Sequence, residues 1–119
     1  MNITSKIEMH PQGVVIISLK GKILTENCFV EIIEKVESKL DSGKKKFLLD
    51  LDGVSHMNSS GLNILLRLFT KIRTKGGELI MINPSKVVNQ LFIISKLNTV
   101  FKIGANKEEA LKQLIAQEA

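Results

Sequence analysis

Three apolar runs, at residues 14–19, 47–51 and 79–82, alternate with segments whose apolar residues recur at spacings of three and four. A strand that reads as a continuous apolar run is buried on both faces, as in parallel sheets. Spacings of three and four mark one face of an amphipathic helix. Strands joined through helices pair in parallel, by right-handed crossovers. This alternation confines the chain to an α/β domain with helices laid on a sheet.

The first run is broken only by Ser18, and a different pattern precedes it. Ile3, Ile7 and Met9 alternate with Thr4, Lys6, Glu8 and His10, the period of a half-exposed strand. His10, Pro11, Gln12 and Gly13 supply turn chemistry, so a hairpin is expected, with its first strand at an edge. Thr25 is a candidate cap for a helix whose face is Phe29, Ile32, Ile33, Val36 and Leu40, and Gly43 ends it. A second helix is expected over 59–75, stopped by Gly76 and Gly77. Asn83 and Pro84 are expected to open a third as cap and first helical residue. Its apolar face is Val87, Val88, Leu91, Phe92 and Leu97. Residues 100–103 read as a short last strand. Asn106 starts a final helix, with Glu108 and Glu109 in its first turn and Ala110, Leu111, Leu114 and Ile115 inward. The expectation is a single domain over residues 1–119: a mixed four- to five-stranded sheet with about four helices packed largely on one side.

Composition narrows the functions. Aromatic residues make up 4% of the chain, with no Trp or Tyr, which argues against base-stacking surfaces for single-stranded nucleic acid. The net charge is +5, but it is spread out. Its densest run, Lys44, Lys45 and Lys46, precedes an apolar strand and reads as a solvated loop rather than a nucleic-acid patch. Cys28 is alone, so no internal disulfide can form, and it reads as a small core residue. No apolar stretch approaches a membrane span, and no basic-then-apolar segment opens the chain, so a cytoplasmic location is expected.

The corner between the second apolar run and the helix at 59 carries the chemistry. Asn58 or Ser59 caps that helix, and either residue type does so well. Two adjacent serines exceed what one cap needs. Gly61, in the first turn, costs helix stability, about 0.5–1 kcal/mol relative to alanine, and lets something approach the backbone closely. Leu62, Leu65, Leu66, Phe69 and Ile72 share one helix face, and Ile64 and Leu68 widen it. Ile64 is expected at the border of the exposed side, near Lys71 and Lys75, as core or as an apolar edge for a partner. Met57 has the same two readings, with core filler the default. Asp50 and Asp52 read as strand-end and loop residues, with magnesium binding the lesser alternative.

The segment FLLDLDGVSHMNSSGLNILLRLFTKIRTKGGELIMINPSKVVNQLFIISKLNTVFKI resembles a STAS domain of the bacterial anti-sigma factor antagonist family. The likeness rests on the strand, the S-S-G-L at Ser59, Ser60, Gly61 and Leu62, the Gly-Gly turn, the next strand and the closing apolar segment. It extends to Leu19, Lys20 and Gly21. The resemblance implies a partner switch without catalysis or cofactor. Ser59 corresponds to the family's phosphorylated serine, modified by an anti-sigma factor that is also a serine kinase and reset by a serine phosphatase. The unmodified protein binds the anti-sigma factor, and the phosphorylated one releases it. Asn58, Ser60, Gly61, Leu62, Met57 and Ile64 fall in the implied motif and partner-binding region.

Two positions depart from the family pattern. Asn58 stands where the family has an acidic residue, and Gly21, Lys22, Ile23 and Leu24 include no carboxylate. These motivate an alternative, a non-phosphorylated STAS interaction module in another regulatory or envelope-related system. A serine nucleophile fits less well. The G-x-S-x-G elbow is missing, and His56, three residues before Ser59, reads as cap-adjacent. No Cys/His cluster suggests a metal, and no G-x-x-x-x-G-K-[ST] loop suggests a nucleotide.

Overall fold

Residues 14–19 keep their apolar run because both sides of the strand they form are covered. In the computed structural model, which describes residues 3–23 and 30–116, they open β2 (Val14–Ile23). Val15, Ile17 and Leu19 enter one core, and Val14 and Ile16 another. β3 (Lys46–Met57) divides likewise, with Phe47, Leu49 and Leu51 on the first side and Leu48 on the second. β4 (Glu78–Ile82) sends Leu79 and Met81 one way and Ile80 and Ile82 the other.

The larger core is closed by α1 (Val30–Asp41), α2 (Ser59–Thr74) and α3 (Lys86–Ile94). The smaller is closed by α4 (Lys107–Ala116) through Ala110 and Leu114. β1 (Ile3–Met9) pairs antiparallel with β2, while β5 (Lys102–Gly104) pairs parallel with β4. The described residues thus form a five-stranded mixed sheet in the order β1-β2-β3-β4-β5, with three of their four α-helices on one side, as expected. Phe101 locks the β5 end of the larger core, meeting Phe69 of α2 and Phe92 of α3 edge-on at centroid distances of 5.4 and 5.3 Å.

Three expectations are corrected. The chain does not leave the sheet at Leu51, since β3 runs on to Met57 and pairs with Lys20–Ile23 of β2 across two register shifts. Those bulges break the period-two pattern that would have marked the extension. Asn83 does not cap α3. It adopts φ +58 and donates from its amide to Asp50 Oδ1 at 3.2 Å, while Ser85 caps by accepting from the Val88 N–H. Val87 consequently turns outward, and Leu97 falls in a separate 3-10 turn (Leu97–Thr99). Third, Lys45 and Lys46 do more than solvate a loop. The Lys45 ammonium donates to the Lys75 carbonyl at 2.8 Å and that of Lys46 to the Ile115 carbonyl at 3.3 Å, satisfying acceptors at the ends of α2 and α4. The expectations for Leu24, Thr25, Cys28 and Phe29 concern positions outside the described residues.

At the same edge, Glu78 is buried at the start of β4 between the Arg73 guanidinium, at 2.6 Å, and the Lys102 ammonium. Burial alone would raise its pKa. The hydrogen bonds from Lys102 and Arg73, with the charges behind them, outweigh burial and lower it. A lowered folded-state pKa means that ionised Glu78 stabilises the fold above its unfolded value, and that this contribution is lost as pH falls through the folded one. Glu78→Gln is therefore expected to cost about 1–3 kcal/mol at neutral pH. In urea unfolding across a pH series, the gap from wild type should close below about pH 4. A pH-independent gap would deny the ionic role.

Candidate functional site

The extension of β3 sets the position of the serines. β3 ends at Met57, Asn58 adopts an extended conformation, and α2 begins at Ser59. The Asn58 side chain accepts from the Gly61 N–H at 3.1 Å, and its carbonyl accepts from the Leu62 N–H at 2.9 Å. Asn58 is thus the cap, and Ser59 and Ser60 are the first two helical residues. Their backbone N–H groups precede any helical acceptor. Ser59 is exposed and Ser60 half-buried. The first turn of α2 carries no acidic residue, while Lys71 and Arg73 lie in its last turn. The positive end of the helix dipole therefore faces solvent at Ser59 with no carboxylate of its own turn to offset it.

Gly61 is fixed by close approach. A Cβ there would clash with the Ile23 carbonyl oxygen and lie 2.7 Å from Ile23 Cγ2 and 2.8 Å from Met57 Cγ. What approaches the backbone at Gly61 is the end of β2. The same Ile23 carbonyl accepts from the Asn58 N–H at 3.4 Å. Ile23 was not singled out in the sequence, and its signal was faint, an isoleucine two residues after a glycine. Gly21, at φ +122, sits where β2 bulges, opposite Val54. Gly53, opposite Lys20, is held against β2, since a Cβ there would come 2.8 Å from the Leu19 carbonyl oxygen. These two glycines let β2 and β3 stay paired through the bulge and carry Ile23 under the start of α2.

The remaining motif residues divide by burial. Leu62 and Met57 are 7% and 8% exposed and belong to the core. Ile64 is 0% exposed, which corrects its expected position at the border of the exposed side; it faces the core beside Leu65 and Leu68. Leu62, Ile64, Leu65, Leu68 and Ile72 of this wide arc are buried in the larger core, while Leu66 and Phe69 are half-buried against it. Of the residues singled out here, Asn58, Ser59 and Ser60 remain on the surface.

The site has little catalytic equipment. The His56 ring pairs through Nδ1 with Ser55 Oγ at 3.0 Å, and both residues are exposed. The Asp50 carboxylate is engaged in holding strand ends together, accepting from the Asp52 N–H at 2.9 Å as well as from Asn83. No group of three or more His, Cys, Asp or Glu that could hold a metal occurs among the described residues. What the corner offers is an exposed hydroxyl on the first residue of a helix, with open N–H donors beside it.

The cap and the close approach predict opposite responses to alanine from those of an ordinary exposed helix. Gly61→Ala, which would gain about 0.5–1 kcal/mol at an exposed helical position, is expected here to lose about 1–3 kcal/mol by overpacking. Asn58→Ala should lose about 0.5–2 kcal/mol, and Asn58→Asp much less. Urea unfolding of the three variants tests both, and a stabilised Gly61→Ala would refute the contact with Ile23.

The STAS domain family model matches residues 7–110. The anti-sigma F factor antagonist of Paenibacillus polymyxa is 28% identical over 114 residues, covering 96% of this chain and 97% of the relative. A crystal structure of a Thermotoga maritima protein superposes with a TM-score of 0.81 at 22% identity, over 92% of this chain and 93% of that one. The Bacillus cell fate determinant SpoIIAA in its phosphorylated form superposes with a TM-score of 0.71 at 24% identity, over 92% and 98% of the two chains. No helix among the described residues is long and apolar enough to cross a membrane.

Proposed function

The chain belongs to the STAS domain family, and from that premise we propose that it is an anti-sigma factor antagonist switched by phosphorylation of Ser59. In this reading the unmodified protein binds an anti-sigma factor with serine kinase activity in the cytoplasm. Phosphorylation releases it, and a serine phosphatase restores the binding form. The protein is a substrate and a ligand, and Ser59 is not a nucleophile of its own. The relatives named anti-sigma factor antagonist support the class of partner.

One observation carries the proposal: Ser59 is exposed at the first position of α2, capped by Asn58, in a turn without acidic residues. A phosphate there adds about −1.5 to −2 charges. It meets open N–H donors and the positive end of the dipole, an interaction of about 0.3–2 kcal/mol in the fold's favour. The same charge must lose its water when a partner covers it, which costs several kcal/mol. Each 1.4 kcal/mol is tenfold in affinity, so the interface is lost while the fold is kept. This asymmetry is what a switch at a helix start requires.

Asn58 keeps the capping acceptor of an aspartate without its charge. Phosphorylation then depends on a kinase that recognises the corner by shape. If no kinase does so, the chain remains a constitutive STAS interaction module.

The test is affinity capture from the host cell followed by mass spectrometry and binding with the purified partner. Capture of a kinase-like ATPase is expected, together with a species about 80 Da heavier mapping to Ser59. Ser59→Asp should weaken that partner's binding at least about 30-fold, or ~2 kcal/mol, while urea stability moves by less than about 1 kcal/mol. Unchanged affinity in Ser59→Asp, with no phosphorylated species under any growth condition, would leave the constitutive module.

A further inference from the structure

The outward side of α3 is apolar. Val87, Leu91 and Ile94 recur at spacings of four and three, so they form one line along the helix. Leu91 is half-buried, while Val87 is 53% exposed and Ile94 77%. Ile93, 52% exposed, points about 100° away from Ile94. Of the seven large apolar residues exposed among the described residues, five lie between 87 and 103, the remaining two of these being Val100 and Ile103. Ile103 faces the α3 side of the sheet, because a Cβ on its strand neighbour Gly104 would meet Ala110 of α4 on the other side, at 3.1 Å. Exposed apolar residues scattered singly are ordinary, but a concentration of them marks a surface that meets something.

The charge on this side has one sign. Between Glu78 and Glu108 the sequence has no acidic residue. Glu78 is buried and held by Arg73 and Lys102, and Glu108 and Glu109 open α4 across the sheet. The Asp50 carboxylate, in the strand before α2, is taken up by Asn83 and the Asp52 N–H. Lys86 starts α3, and Lys96 lies just past its end. Neither makes an ion pair among the described residues.

We infer that α3 docks the protein peripherally on an anionic membrane surface, with Val87, Ile93 and Ile94 at the headgroup–acyl boundary and Lys86 and Lys96 on the headgroups. The inference is independent of the switch at Ser59. Charge complementarity selects the occupant, since uncommitted lysines stand at both ends of an apolar strip and the whole chain carries +5. A second copy fits poorly. Paired antiparallel, two α3 helices would set Lys86 of one copy against Lys96 of the other, and paired parallel they would set each lysine against its own counterpart. Shape points the same way. Ile93 and Ile94 diverge around one helix, so the apolar surface is a ridge and not a groove. A rigid partner would need a matching concavity to cover both, whereas a fluid interface takes a ridge of any shape. A strip this short gives weak, reversible binding that salt opposes.

Vesicle flotation of the full chain tests this. The wild-type chain should float with vesicles of mixed phosphatidylglycerol and phosphatidylcholine, not with phosphatidylcholine alone, and less as salt is added. Ile94→Asp should abolish flotation at unchanged urea stability, and Lys86→Glu combined with Lys96→Glu should weaken it at least about tenfold. The chain has no Trp, so Ile94→Trp places a single indole on the strip, and Gln12→Trp places one in the exposed β1–β2 turn, at the opposite edge of the sheet. Only the first should shift its emission to shorter wavelength on anionic vesicles. A wild-type chain that stays off anionic vesicles overturns the inference. So does flotation that survives Ile94→Asp, or an equal shift from both indoles. A dimer that Ile94→Asp dissociates, or an anti-sigma factor whose binding it abolishes, in a chain that does not float, assigns the strip to a protein contact and overturns it as well.

Discussion

The contact between Gly61 and the Ile23 carbonyl is the joint on which the site depends. It exists because β2 and β3 stay paired beyond their shared bulge, as far as Ile23 and Met57. Without the extension, the first turn of α2 would rest on nothing. With it, the helix start is pinned from below by Ile23 and Met57 and from within by the Asn58 cap. A phosphorylation site on such a support can change charge without changing shape. The alternative, a serine on a loose loop, would spend part of any charge effect on rearranging the chain.

The two ends of the parallel strands are electrostatically distinct, and helix direction is the cause. α2 starts at the carboxyl edge of the sheet with no acid in its first turn. At the opposite edge, α2 and α4 end, and their last carbonyls are met by Lys45 and Lys46. Glu78, Arg73 and Lys102 form a closed cluster there. Lys45, Lys46, Arg73 and Lys102 are therefore tied to helix ends and to one buried carboxylate.

The sheet was legible in the sequence because strands covered on both faces cannot hide their apolar runs. The helix at Ser59 was legible because Gly76 and Gly77 end it and its apolar residues keep the helical spacing. What failed was local. Residues 52–57 carry Asp52, Gly53, Ser55 and His56, and two bulges make the buried positions fall at Leu51, Val54 and Met57, a spacing no strand template matches. Asn83 and Pro84 imitate a helix start, but the asparagine is drawn to Asp50 across the strand ends, a tertiary contact that outweighs the local preference. Ile64 was misjudged because helical periodicity says how wide an apolar arc is, and not how many neighbours stand ready to cover it. Gly61 was recognised as a point of close approach, and only the fold could say that the approaching group belongs to the chain itself.

Asn58 separates two roles that an aspartate would combine. As a cap, it needs an oxygen that accepts from the Gly61 N–H, and an amide supplies one. As a charge, an aspartate would add stabilisation through the dipole and a feature for a kinase to read. It would also stand next to the phosphate and repel it. With asparagine the unmodified corner is less acidic, and the phosphorylated corner gains its whole charge change from the phosphate. The contrast between the two states at the partner's surface is then set by one group.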